Sequence, residues 1–143
     1  MSPLVRRYLK TGIGFLLAGL GLGGVLLGRR ELQGVGPSPD LVSAHAHLIL
    51  VGFVMMMILG VALWMFPRPE RDDPRYHPAL AEVSYWLVTF GTAVRAAGET
   101  LRATARPPGF GWAVTVAGWA QIAGLALFFY HLWPRIRSPR PIK

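Results

Sequence analysis

Residues 38–67 read SPDLVSAHAHLILVGFVMMMILGVALWMFP, and the fold follows from this stretch. Leu41 to Phe66 contains no Asp, Glu, Lys or Arg. As a helix rising about 1.5 Å per residue it is long enough to cross a hydrocarbon core of about 30 Å. Ser38, Asp40 or Ser43 can cap its start, Pro67 stops it, and Trp64 and Phe66 fall at the depth of an interfacial aromatic belt.

Working outward, residues 11–28 and 110–133 are also free of charged side chains. Of the 143 residues 52% are hydrophobic and 15% charged, with 17 Gly, 12 Pro and no Cys. A soluble domain would spread its polar residues along the chain, whereas here they are segregated between apolar runs. The net charge of +8 would suit nucleic acid in a soluble protein. Here the basic residues sit at segment ends, the positive-inside pattern, and nucleic-acid binding is set aside. Without cysteine there are no disulfides, catalytic thiolates, thiolate-ligated hemes or iron–sulfur clusters. Histidine and methionine remain as soft or borderline metal ligands.

Four spans are expected, at about 8–28, 41–66, 79–103 and 110–133. The first follows Arg6, Arg7 and Lys10, as a signal peptide would, but it ends in Gly28-Arg29-Arg30-Glu31 with no small-x-small cleavage site, so an uncleaved helix is expected. Gly19/Gly23 and Gly24/Gly28 have small-xxx-small spacing for close helix contact. In the third segment only Val83 to Val94 is free of charge, a length that fits a re-entrant piece as well. Its residues Glu82, Tyr85, Thr89, Thr92, Arg95 or Ala96, and Glu99 nevertheless step by three and four along one helical face, which predicts a spanning helix with this polar stripe turned into a bundle. With four spans, ten Lys and Arg lie inside and four outside, with Arg95 within a span. The expectation is an all-α integral membrane protein, a four transmembrane helix bundle forming one membrane domain over 1–143. Both termini are placed in the cytoplasm, and the expected site is a prokaryotic plasma membrane.

The chemistry is concentrated in Ser43-Ala44-His45-Ala46-His47-Leu48. Histidines in an apolar membrane segment are costly unless partnered. Residues at i and i+2 are about 200° apart on a helix, so His45 and His47 point to nearly opposite faces. That disfavours a zinc ion chelated by both rings, which needs i, i+4 spacing. It suits two separate targets, or one cofactor ligand plus one hydrogen-bonding histidine; an imidazole in an apolar bundle is a usual axial ligand for heme iron. The plainer alternative is that both rings cap backbone groups near the membrane surface. Met55, Met56 and Met57 lie about 12–18 Å deeper and read as packing residues.

Ala44-His45-Ala46-His47, the Met- and Gly-containing run after it, and Trp64-Met65-Phe66-Pro67 together resemble the heme-bearing helices of the catalytic subunit of heme-copper oxidases and nitric oxide reductases. The likeness is to that family's tenth helix, where an A-H-x-H pair begins the helix and a W-F-P-like end closes it; here the tryptophan stands one residue further from the proline. This register implies that His45 holds a high-spin heme and His47 a low-spin heme. A second likeness, to the family's second helix with its T-A-H-A sequence, implies His45 as the low-spin ligand, and both registers remain open.

The resemblance implies heme, b-type, as cofactor, with His45 and His47 as metal ligands and Arg95, Arg102 and Arg106 at the same level as partners for its propionates. A local ion-pair network, Arg95 with Glu99 and Glu99 with Arg102, is the alternative use of those arginines. The family's subunit has twelve helices in three pseudo-repeats of four, against about one repeat here, with no second histidine cluster. No copper site, and no oxygen reduction by this chain alone, is therefore expected. His131 lies about 25 Å from His45 along the membrane normal and His77 lies in a loop, so neither shares an iron with it. A six-coordinate heme would take a histidine from another copy, and a homo-oligomer, dimer or trimer, with heme at the interface is expected.

The function expected from this reading is that of a small membrane heme protein in electron transfer or in binding a diatomic gas, nitric oxide or oxygen. A non-catalytic scaffold or accessory subunit of a respiratory complex is the alternative, and a small proton or ion conductor along the polar stripe is a third. The lipid bilayer is the one partner implied directly; the sequence does not identify a redox partner.

Overall fold

The structure, a computed structural model, describes residues 1–67, 77–105 and 110–136. It contains α1 (Pro3–Gln33), α2 (Pro39–Met65), α3 (Pro78–Ala105) and α4 (Gly111–Leu132), with a 3₁₀ turn at Trp133–Arg135. The Ser2 hydroxyl accepts from Val5 N at 3.3 Å with Pro3 in the first turn, and α1 ends at Gly34, whose φ of 64° is left-handed. The helix thus takes in Arg6, Arg7 and Lys10 and, at its far end, Arg29 and Arg30, extending beyond the expected 8–28. Helical hydrogen bonding does not require apolar side chains, so the uncharged run does not mark the helix ends.

α1 and α2 run antiparallel in close contact. Gly12 lies against Gly52 and Phe53, Gly19 against Leu48 and Ile49, and Gly60 against Tyr8 and Leu9. Of the two expected glycine pairs, Gly19/Gly23 faces α2, while Gly24 and Gly28 meet nothing within 4 Å. α3 packs along α4, with Gly91 on Ala117 and Gln121 and Gly124 on Ser84 and Val88. The first turns of α2 also pack on the last turns of α3.

α2 is not a uniform α-helix: Leu48–Met55 is π-helical between α segments Pro39–His47 and Met56–Met65. The run LILVGFVM is apolar throughout, so nothing in its pattern foretells this wider winding.

Tyr8, Met56, Leu59, Tyr85, Val88, Phe128 and Leu132 form the main core. Tyr8 meets Tyr85 and Phe128 edge-to-face at 5.1 and 6.0 Å, and its hydroxyl donates to the Ala81 carbonyl at 3.0 Å. Met56 is fully buried there, the packing role expected of it. Leu17, Leu20, Leu27, Trp112, Trp119 and Ile122 face outward, an apolar surface suited to lipid.

Pro3–Gln33, Pro39–Met65 and Gly111–Arg135 are long and apolar enough to cross a membrane. α3 is an unbroken helix of 28 residues that is not among these three; of the expected polar stripe it buries Tyr85, Thr92 and Glu99 in the bundle, with Ser84 beside them, while Glu82 is exposed.

At the end opposite the histidine pair, Arg135 is 5% exposed and donates to the carbonyls of Leu63, Phe66 and Pro67 at 3.2, 2.6 and 3.0 Å. The sequence reading counted charge at this end of the chain, whereas the fold uses Arg135 to satisfy the last carbonyls of α2. Arg135→Met leaves them without that donor, and a loss of about 1–3 kcal/mol is expected in an unfolding titration in detergent.

Candidate functional site

The site lies where the start of α2 meets the middle of α1 and the end of α3. His45 rests on α1: its Nδ1 is 2.9 Å from the Gly19 carbonyl, which carries no hydrogen, so Nδ1 must donate. The ring fits because Gly23 has no side chain; a Cβ there would lie 2.8 Å from His45 Cε1. The glycines that let α1 and α2 approach therefore also make room for the imidazole.

His47 turns the other way, as the i, i+2 spacing predicted. Its Nδ1 donates to the Ser43 carbonyl at 2.8 Å and lies 3.4 Å from the Ser43 hydroxyl oxygen. With Nδ1–H given to a carbonyl, the neutral form of each ring has its lone pair on Nε2. Both histidines are half-buried.

Behind Ser43 is a buried polar cluster. Its hydroxyl donates to Glu99 Oε1 at 2.8 Å; Arg95 Nε donates to the same oxygen at 3.1 Å, and Arg95 Nη1 reaches Gln121 Oε1 at 3.5 Å. Gln121 Nε2 donates in turn to Thr92 Oγ1 at 3.0 Å. Arg102 pairs with Asp40 through both a 3.0 Å bond from Nε and a bond from Nη2. Of the expected local ion pairs, Arg95 with Glu99 is present, but Arg102 is joined to Asp40 rather than to Glu99. Asp40 is one of three cap candidates in the sequence; packing of α2 on α3 brings it to Arg102 across a sequence separation that no local pattern reveals.

The expected level is therefore shared by His45, His47, Arg95 and Arg102, with the arginines turned toward carboxylates of the chain itself. Arg106 lies outside the described residues. His131 is buried at the opposite end, lining with Glu82, Phe66 and Arg135 a cavity of about 600 Å³. It is thus far from His45, as expected. Among the described residues, no group of three or more His, Cys, Asp or Glu converges on one point. His45 and His47 each present a single imidazole at this level, the donor type a heme iron takes on one side.

Gly23→Ala isolates the role of the α1 groove. The new methyl group meets the mobile end of a side chain, so the bundle is expected to fold while His45 leaves the Gly19 carbonyl. Ring ¹⁵N resonances of His45 should shift, and those of His47 should not.

Neither curated proteins nor solved structures give a match to this chain. A family model described as Cytochrome C and Quinol oxidase polypeptide I matches residues 6–100, well over half of the chain and the whole of the histidine site apart from Arg102 and Gln121. With α1, α2 and most of α3 inside that match, the chain belongs to the cytochrome c and quinol oxidase polypeptide I family.

Proposed function

We propose that the protein is a small membrane b-type heme protein, acting in electron transfer or in binding a diatomic gas, with His45 and His47 as its iron ligands. The observation that carries this reading is the state of the two imidazoles. Each gives its Nδ1 hydrogen to a backbone carbonyl, which orients the ring and leaves Nε2 as a metal-competent lone pair. Family membership and the A-H-x-H resemblance point the same way. When bound, heme supplies an iron that passes single electrons or takes a gas molecule at an open axial position.

The chain's own contribution is positional. Gly19 and Gly23 seat His45 on α1, Ser43 holds His47 on the opposite flank, and Arg95 and Arg102 are assigned to the propionates from within their pairs with Glu99 and Asp40. Arg106 is assigned with them by the resemblance. Because the two rings face opposite flanks and His131 is at the other end, a second axial imidazole would come from another copy of the chain. A dimer or trimer with heme at the interface is the arrangement we assign.

In this reading all four helices cross the bilayer, with both termini inside. α3 can do so because each of its charges is paired: Glu82 with Arg7 at 2.7 Å, Arg95 with Glu99, and Arg102 with Asp40.

The deciding experiment is a reduced-minus-oxidised spectrum of protein expressed with heme supply, recorded with and without carbon monoxide. Bands of b-type heme are expected. A carbon monoxide shift assigns gas binding and its absence electron transfer, while a colourless protein overturns the heme reading.

A further inference from the structure

The two histidines differ in what stands behind them. His45 Nδ1 meets a neutral acceptor, the Gly19 carbonyl. His47 Nδ1 meets the Ser43 carbonyl and, at 3.4 Å, the Ser43 hydroxyl oxygen. A serine hydroxyl has one hydrogen, and here it is directed to Glu99 Oε1 at 2.8 Å. The lone pairs of Ser43 Oγ are therefore left for His47.

Glu99 is buried at the far end of this link. Its side chain is 3% exposed, and Oε1 receives both Ser43 and Arg95, while Oε2 is buried with no partner among the described residues. The hydrogen bonds of this carboxylate thus run through the one oxygen that leads to His47. An acceptor bearing charge behind a hydroxyl polarises it, raises electron density on Oγ and strengthens its hold on Nδ1–H, and the effect is largest in a poorly solvated setting. Electron density pushed into the ring appears at Nε2.

We infer that Glu99 is a positioning residue for His47. Acting through Ser43, it makes His47 Nε2 a stronger electron donor than His45 Nε2, so that a heme iron taking one imidazole from this chain is held more tightly by His47. The choice of ligand rests on the heme reading; the hydrogen-bond relay itself does not.

The relay can be read without heme. In histidine-¹⁵N-labelled protein in lipid nanodiscs, with ring signals assigned from His45→Ala and His47→Ala, Ser43→Ala and Glu99→Gln are expected to shift His47 Nδ1 and leave His45 in place. Ser43→Thr, which restores the hydroxyl, should return the His47 signal toward its original position. A His47 signal unmoved by Glu99→Gln, or equal shifts of both histidines, would overturn the inference.

Hemin titration then tests the consequence. Glu99→Gln is expected to weaken hemin binding about 10-fold when His45 is alanine, and to have no such effect when His47 is alanine. Equal weakening in both backgrounds would overturn the preference for His47. Protein that takes up no hemin would remove the heme reading, and the ring signals would still decide the relay.

Discussion

Protein carrying both His45→Ala and His47→Ala is expected to retain no heme in a pyridine hemochrome assay. In the proposed reading both imidazoles are iron ligands, and polar groups beside them are already committed: Ser43 and Arg95 to Glu99, and Arg102 to Asp40. The single variants should separate. Removing an iron ligand costs more than the about 10–100-fold in metal affinity that follows loss of an outer hydrogen-bond partner. If Glu99 favours His47 as inferred, His47→Ala loses more heme than His45→Ala. Equal heme in wild type and double variant would place any bound heme elsewhere in the bundle.

Gly91→Ala is expected to be the most damaging one-carbon change in the α3–α4 interface. A Cβ at Gly91 would lie 2.8 Å from the Ala117 carbonyl oxygen, 2.9 Å from Gln121 Cγ and 3.1 Å from Gln121 N. Two of those atoms are backbone, so no rotamer change relieves the contact and the helices must separate. Overpacking of this kind costs about 1–3 kcal/mol, more than the roughly 1 kcal/mol that alanine gains over glycine in a helix. The separation would also strain the Gln121–Thr92 bond beside Arg95. Gly24→Ala is the internal comparison. Nothing lies within 4 Å of that position, so a change between zero and a gain of about 1 kcal/mol is expected. Unfolding titrations in the same detergent should therefore show a loss for Gly91→Ala and none for Gly24→Ala.

Much of the site's outline was legible in residues 38–67 and 82–99. The i, i+2 spacing of His45 and His47 put them on opposite flanks because helical rotation per residue is fixed, and the three- and four-residue steps from Glu82 to Glu99 put Tyr85, Thr92 and Glu99 inside for the same reason, though Glu82 at the start of the stripe stays exposed. Arg95 with Glu99 is likewise a one-turn pair. The partners that lie across helices were not legible. Asp40 with Arg102, Ser43 with Glu99 and Gly23 with His45 join residues on different helices, and their meeting depends on how far each helix slides and turns against its neighbour. Arg135 was read as topology-setting charge because its buried carbonyl partners belong to α2.

The sequence by itself determined that this chain is helical and lives in a bilayer, because long uncharged runs can satisfy their backbone there only as helices. It also determined where the chemistry sits, since two histidines in an apolar run stand out on composition alone. Tertiary structure decided which glycines are contacts, which acceptor each imidazole faces, and that the buried Glu99 carboxylate stands behind Ser43 and His47 while His45 faces the Gly19 carbonyl. Those outcomes depend on helix register to within about an ångström, and the π-wound Leu48–Met55, unmarked in its uniformly apolar sequence, is part of what sets that register.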